Sequence, residues 1–96
     1  MSVGIRQLYR EPGRYFNNSL EVCGWVRTVR DSKTFGFIEL NDGSFFKNLQ
    51  IVFEEGVLDN FKEIAHLGIG ASIRATGMLV ETPNAKQPFE MKASLI

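Results

Sequence analysis

An aromatic ring and a side-chain amide are the groups of this chain best suited to recognition chemistry. Residues 35–41 and 49–53 both alternate as strands do, and successive strand residues point to opposite sides of a sheet. If the aliphatic residues of both runs form the core, Phe37 and Gln50 project outward together. A flat ring for stacking, beside an amide that donates and accepts hydrogen bonds, is what an unpaired nucleotide base requires. The alternative, that Phe37 packs beneath a loop, stays open because lone exposed aromatic residues are common.

Residues suited to catalysis or metal binding are sparse. His66 and Cys23 are the single members of their types, which argues against a conventional zinc site or a Cys/His nucleophile. Asp42 and the pair Glu54-Glu55 match no familiar arrangement of catalytic carboxylates. The Gly68-Ile-Gly70 segment lacks the preceding strand of a dinucleotide site and is better explained as a helix stop. We therefore expect no catalytic residues, no metal site and no cofactor in this chain.

The composition indicates one folded domain covering residues 1–96. Its 44% hydrophobic content is typical of a globule. The formal net charge is zero, but residues 1–35 carry +3, residues 36–63 carry −4 and residues 64–96 carry +1. The basic segment is either a modest phosphate-binding patch or an ordinary solvated surface. A lone cysteine predicts a reducing, cytoplasmic setting, and we expect Cys23 to be buried. There is no signal peptide and no apolar run long enough to span a bilayer, so no membrane association is expected.

Two elements must precede the alternating runs. Ser2 is the predicted cap of a short helix that carries Ile5, Leu8 and Tyr9 and ends at Pro12-Gly13. A first strand from Leu20 to about Arg30 follows. It is apolar on both faces, so Trp25 is expected in the core, and its central Gly24 predicts a bulge or bend.

The remaining elements complete a recognisable order. Strands two and three are joined by an Asn-Asp-Gly-Ser turn at residues 41–44. A helix is predicted from Val57 to Leu67, then strand four from Ala71 to Glu81 and strand five from Phe89 to Ile96, with Leu95 facing inward. The sequence thus predicts a mainly β, five-stranded Greek-key OB-fold barrel, with a helix between strands three and four and a short N-terminal helix. Such barrels bind oligonucleotides on strands two and three.

Three segments carry a resemblance to a known family. GWVRTVRDSK (residues 24–33), FGFIELNDGSFFKNLQIV (residues 35–52) and FEMKAS (residues 89–94) resemble the N-terminal anticodon-binding domain of bacterial-type asparaginyl-tRNA synthetases. They are less similar to the aspartyl and lysyl enzymes of the same class II subgroup. The match is collinear over nearly the whole chain.

The resemblance implies specific site residues. Phe37 matches an aromatic residue that stacks on the central uracil of the anticodon, and Gln50 matches a glutamine that hydrogen-bonds the same base. Arg30 matches an arginine at an anticodon base or phosphate, and Glu90 matches a glutamate at the first anticodon base. The loop of residues 84–87 is expected to approach the third base.

The resemblance also implies a parent protein. It would be a cytoplasmic, homodimeric, ATP-dependent ligase that attaches asparagine to its tRNA. Its catalytic domain, with ATP and Mg²⁺, would follow Ile96, because the chain stops within strand five and looks like an excised domain. The partner is then the anticodon loop of asparagine tRNA, with no DNA. A general single-strand-binding barrel, an aspartyl-tRNA synthetase domain and a protein-interaction barrel anchored by Phe37 remain as alternatives.

Overall fold

A computed structural model describes residues 2–83, 85 and 87–96 of the chain. Within these residues the order of elements is the predicted one, a short helix, three strands, a second helix and two strands. The elements are α1 (Ile5–Arg10), β1 (Ser19–Asp31), β2 (Phe35–Asn41), β3 (Leu49–Glu54), α2 (Phe61–Ala65), β4 (Ser72–Glu81) and β5 (Phe89–Leu95), with a 3₁₀ turn at Pro12–Arg14.

The five strands close into a barrel in the order β1-β2-β3-β5-β4. Strand β1 makes this closure possible because it is long enough to pair twice. Its first half, Ser19–Trp25, pairs with β4, and its second half, Trp25–Asp31, pairs with β2. All pairs are antiparallel except β3 with β5. The mainly β, five-stranded OB-type barrel predicted from the sequence is therefore confirmed.

The interior of the barrel follows the alternation of the strands. Ile38 lies opposite Ile51 and Leu40 opposite Leu49, and all four side chains are fully buried. Phe53 and Phe89 are the largest fully buried side chains of this core, and Leu79 and Met91 are fully buried with them. Each fully buried aliphatic or aromatic side chain contributes about 1.5–3 kcal/mol, so this packing fixes which face of each strand is left for solvent.

Helix α1 begins differently from the prediction. Ser2 does not cap the helix but pairs with Glu21 in a parallel bridge, and Gly4 occupies the N-cap position. The first two helical N–H groups instead donate to side chains from the β2–β3 loop, to Oδ2 of Asp42 at 2.8 Å and to Oγ of Ser44 at 3.0 Å. A turn 37 residues away in the sequence therefore supplies the cap that the helix lacks locally.

Helix α2 is shorter than predicted. The expected helix from Val57 to Leu67 contracts to Phe61–Ala65, and Val57, expected on its buried stripe, is 51% exposed. The backbone N–H groups of Val57 and Leu58 both donate to the carbonyl of Glu54, which makes a tight turn after β3. This turn directs Leu58 into the core in place of Val57.

The irregularity of β1 is also displaced from the predicted position. The register shift falls between Val26 and Thr28, whereas Gly24 lies in regular pairing. Gly24 has a different role, since a β-carbon there would lie 2.5 Å from the carbonyl oxygen of Asn41. Glycine lets β1 approach the end of β2 closely where β1 changes partner.

Three side chains expected in the interior face outward. Cys23 and Trp25 are exposed because they occupy the outward positions of β1, and the Trp25 ring covers the turn at Gly43. Leu95 is exposed because Thr76 pairs with Leu95 while the next residue, Gly77, pairs with Ala93, and this shift reverses the inward alternation at the end of β5.

Candidate nucleic-acid interface

The outer face of β2 and β3 carries the ring and the amide identified in the sequence. Phe37 lies opposite Val52 and Glu39 lies opposite Gln50, on the face away from the barrel core, although Val52 itself is buried. Phe37 and Gln50 are thus diagonal neighbours, a relation that in antiparallel sheets corresponds to about 7–8 Å. Both are partly exposed, so the expected orientation of the two groups is the one the structure has.

Strand β1 and a second ring set the position of the Phe37 side chain. Arg30 pairs with Phe37 across β1 and β2, and its guanidinium carbon lies 5.8 Å from the ring centroid. The Phe35 ring meets Phe37 edge-on, with centroids 5.6 Å apart and planes at 90°. With Asp31 and Ser32 these residues line a cavity of about 210 Å³ beside the β1–β2 turn. A ring fixed by one neighbouring ring and one cation is a preorganised stacking surface.

Strand β5 extends this face on the other side of β3. Val52 pairs with Lys92, so Glu90, two residues earlier, emerges on the same outer face toward the level of Gln50. Glu90 lies opposite Val80 and is partly exposed. The outer face of β1, β2, β3 and β5 therefore holds all four predicted site residues, namely Arg30, Phe37, Gln50 and Glu90. Their roles in binding remain predictions.

This outer face carries both positively and negatively charged side chains. Thr28 donates from Oγ1 to Oε2 of Glu39 at 3.0 Å, which fixes the carboxylate directly opposite Gln50. Arg30 and Lys92 supply positive charge and Glu39 and Glu90 supply negative charge. A face with balanced charge attracts phosphates weakly as a whole, so discrimination must come from stacking and hydrogen bonds to base edges.

Sequence reasoning missed a second group of residues at the far end of β2. The loop from Asp42 to Asn48 carries Phe46, which is 81% exposed, and Lys47, whose Nζ lies 5.8 Å from the ring centroids of both Phe46 and Tyr9. These three line a cavity of about 340 Å³ together with Glu39 and Gln87. The paired phenylalanines of the loop were visible in the sequence, but nothing there placed helix α1 beside them.

Two titratable groups near this loop have shifted pKa values. Burial raises the pKa of the Tyr9 hydroxyl, and the negative charge of Glu39 raises it further. Burial alone would also raise the pKa of the Asp42 carboxyl, but hydrogen bonds from the Ser44 hydroxyl and from the N–H groups of Ile5, Ser44 and Asp42 outweigh it and lower that pKa. Asp42 is therefore a structural carboxylate that holds the loop against α1.

The loop of residues 84–87, expected to approach a third base, is described only in part. Asn84 and Lys86 lie outside the described residues. Gln87 lines the cavity beside Phe46, and the Thr82 hydroxyl donates to its carbonyl oxygen at 2.7 Å.

The described residues also bear on metal binding and on crossing a membrane, two properties that the sequence argues against. In the part of the chain that the structure describes, no three His, Cys, Asp or Glu side chains are grouped so as to hold a metal ion. Among the same residues, no helix has the length and apolar character needed to cross a membrane.

Comparison with known proteins finds relatives that match nearly the whole chain. It is 67% identical over 92 residues to the asparagine–tRNA ligase of Acetivibrio thermocellus and 57% identical over 94 residues to that of Clostridium tetani. These matches cover 96% and 98% of this chain and 20% of each relative, so the chain spans about a fifth of their length.

A solved structure shares the fold at lower identity. The asparaginyl-tRNA synthetase of Pyrococcus horikoshii, complexed with asparaginyl-adenylate, superposes with a TM-score of 0.83 at 19% identity, over 98% of this chain and 21% of that one. Residues 20–96, which include every strand except the first residue of β1, match the tRNA anti-codon family, described as an OB-fold nucleic acid binding domain. With this family match added to the closed barrel and its outward ring and amide, the chain belongs to the tRNA anti-codon family of OB-fold nucleic acid binding domains.

Proposed function

We propose that this domain reads the anticodon of asparagine tRNA, as the anticodon-binding part of an asparagine–tRNA ligase. The observation that carries the proposal is the shared outward face of Phe37 and Gln50, with Arg30 held over the Phe37 ring. The names of the relatives that match nearly the whole chain support the choice of tRNA.

The chemistry of this face suits an unpaired uracil. Its pairing edge presents one donor flanked by two acceptors, and the Gln50 amide offers one acceptor and two donors. Stacking of the base on Phe37 contributes about 1–3 kcal/mol, and correct hydrogen bonding adds discrimination against other bases. In this proposal Arg30 contacts a neighbouring phosphate or base, and Glu90 accepts hydrogen bonds from the first anticodon base.

The proposal extends to the protein of which this domain would be a part. That protein would use ATP to activate asparagine, with release of pyrophosphate, and transfer it to the tRNA with release of AMP, and ATP and Mg²⁺ would be held by a catalytic domain outside the present sequence. It would act in the cytoplasm as a homodimer. The present residues would contribute recognition of the tRNA and no step of the ligation chemistry.

A binding titration with an RNA stem–loop that carries a GUU anticodon tests the proposal. Phe37→Ala should weaken binding about 5- to 150-fold, because one stacked base is lost, whereas Phe37→Tyr should keep most of the affinity. Lys62→Ala, at an exposed position of helix α2, is the control and should bind like the wild type. Equal affinities for the wild type and Phe37→Ala would contradict the proposal.

One observation favours a second candidate, a general single-strand binder. Besides Phe37, Phe35 is 41% exposed on this face, and its ring meets Phe37 edge-on. Two adjacent rings suit sequence-tolerant stacking. A single-stranded DNA with the sequence of the loop separates the candidates, since a general binder would hold it about as tightly as the RNA stem–loop.

A further inference from the structure

The β2–β3 loop presents an aromatic ring that the proposed anticodon contacts do not use. Phe46 is 81% exposed, although hydrogen bonds hold Phe45 before it and Asn48 after it. Asn41 donates from Nδ2 to the carbonyl of Phe45 at 3.2 Å and to Oδ1 of Asn48 at 2.9 Å. Hydrogen bonds thus fix the loop on both sides of Phe46, and the loop conformation keeps its ring outside the core.

A series of tilted ring contacts links Phe46 to the barrel core. The centroids of Phe46 and Phe45 are 4.5 Å apart, and those of Phe45 and Tyr9 are 5.0 Å apart. Tyr9 in turn lies 4.8 Å from Phe89, which is fully buried, and its hydroxyl donates to the Asn48 carbonyl at 2.7 Å. These ring contacts run from the barrel core to the solvent and end at Phe46.

A cation and an opening accompany the exposed ring. The Lys47 ammonium lies 5.8 Å from the Phe46 centroid, and both residues line the cavity of about 340 Å³. Glu39 lines the same cavity and lies directly opposite Gln50. The cavity is therefore continuous with the face that carries Phe37 and Gln50.

We propose that Phe46 and Lys47 form a second stacking subsite, which takes another base of the same RNA strand and its phosphate. Asn41, the last residue of β2, lies four residue steps beyond Phe37, and four steps of a strand span about 13 Å. Phe37 and Phe46 line two different cavities, so the proposal gives each ring a base of its own. An aromatic ring next to a lysine supplies the stacking surface and the phosphate partner that single-strand binders use.

This inference rests on the proposed RNA-binding function, and the experiment must separate the two. The probe is the GUU stem–loop, prepared as a series in which each loop nucleotide in turn lacks its base. Binding of every member is measured with the wild type, Phe46→Ala, Phe37→Ala and the control Ile69→Ala. Ile69 is 80% exposed in the α2–β4 loop, so its substitution removes an equally exposed apolar side chain away from the cavity.

The expected result is a separate partner nucleotide for each ring. Phe46→Ala should weaken binding of the intact RNA about 5- to 150-fold, and removing one particular base should cost the wild type affinity but cost Phe46→Ala none. That base should differ from the one coupled to Phe37. Phe46→Tyr should restore the affinity, and Ile69→Ala should leave it unchanged.

Three results would overturn the inference. The first is that Phe46→Ala binds the intact RNA as tightly as the wild type. The second is that Phe46→Ala loses the same factor in affinity with every RNA of the series. The third is that Phe46 and Phe37 depend on the same base, and each of these results would exclude a second stacking subsite. If Phe37→Ala still weakens binding in those cases, the anticodon-reading proposal stands and only the subsite falls. If neither substitution has an effect, both proposals fail.

Discussion

At the scale of single residues, strand alternation predicted the orientation of the site side chains well. The outward positions of Phe37 and Gln50 follow from a period of two, which the buried Ile38 and Ile51 enforce on the opposite face. Alternation failed for Trp25, since β1 is apolar on both faces and the hydrophobic pattern alone does not say which face is inside.

The position of Arg30 leads to a prediction about salt. Its guanidinium carbon lies 5.8 Å from the centroid of the Phe37 ring, so in the proposed complex it would lie near the phosphate of a base stacked there. Arg30→Ala should weaken binding of the stem–loop and reduce the slope of log K against log salt by about 0.7, the value for one phosphate of a single strand. Titrations over a series of salt concentrations measure the slope.

Arg74→Ala provides the matched control for this prediction. Arg74 is paired with Glu21 at 3.4 Å on the β1–β4 side of the barrel, away from the candidate interface. Its removal should leave the slope unchanged. A slope that is the same in Arg30→Ala and in the wild type would show that Arg30 contacts no phosphate.

At the scale of elements, strands were easier to predict than helices. Strand β2 has the bounds that its sequence predicts, because alternation and the flanking turn residues agree. Helix α2 was overpredicted because Val57 fits an apolar stripe, while the turn that redirects the chain depends on hydrogen bonds to Glu54. The cap of helix α1 was beyond local reasoning altogether, since it comes from Asp42 and Ser44 in a distant loop.

This distant cap makes Asp42 important for the attachment of helix α1. Asp42→Ala should lower the free energy of unfolding by about 1 kcal/mol at pH 7, the usual cost of losing a helix cap. Because hydrogen bonds lower the pKa of Asp42 in the folded state, its charge stabilises the fold above the unfolded value of about 3.9 and ceases to do so as the pH falls through the lower folded value.

Urea unfolding of the wild type and of Asp42→Ala at two pH values checks this prediction. One is pH 7, and the other is about pH 2.5 to 3, which is below the usual aspartate pKa of about 3.9. The difference between the two proteins should be largest at pH 7 and shrink in acid. Asp59→Ala, an exposed carboxylate in the turn before α2, should show neither effect. An Asp42→Ala difference that is equal at both pH values would mean that the carboxylate charge does not hold the helix.

At the scale of the whole molecule, barrel closure brings the site together. Arg30, Phe37, Gln50 and Glu90 come from four different strands, and Glu90 joins the face only because β5 pairs in parallel with β3. The element order predicted this closure by analogy with a known layout. The aromatic cluster beneath Phe46 was not predictable, because Tyr9, Phe45 and Phe89 meet only after α1 docks on the closed barrel.

The central claim is that Gln50 reads the edge of a base that is stacked on Phe37. The most direct test compares binding of the wild type and Gln50→Ala to stem–loops that differ only in the central anticodon base, U or C. The wild type should prefer U by about 5- to 150-fold, and Gln50→Ala should lose nearly all of that preference while both proteins keep the fold. An unchanged preference in Gln50→Ala, or no preference in the wild type, would contradict the account.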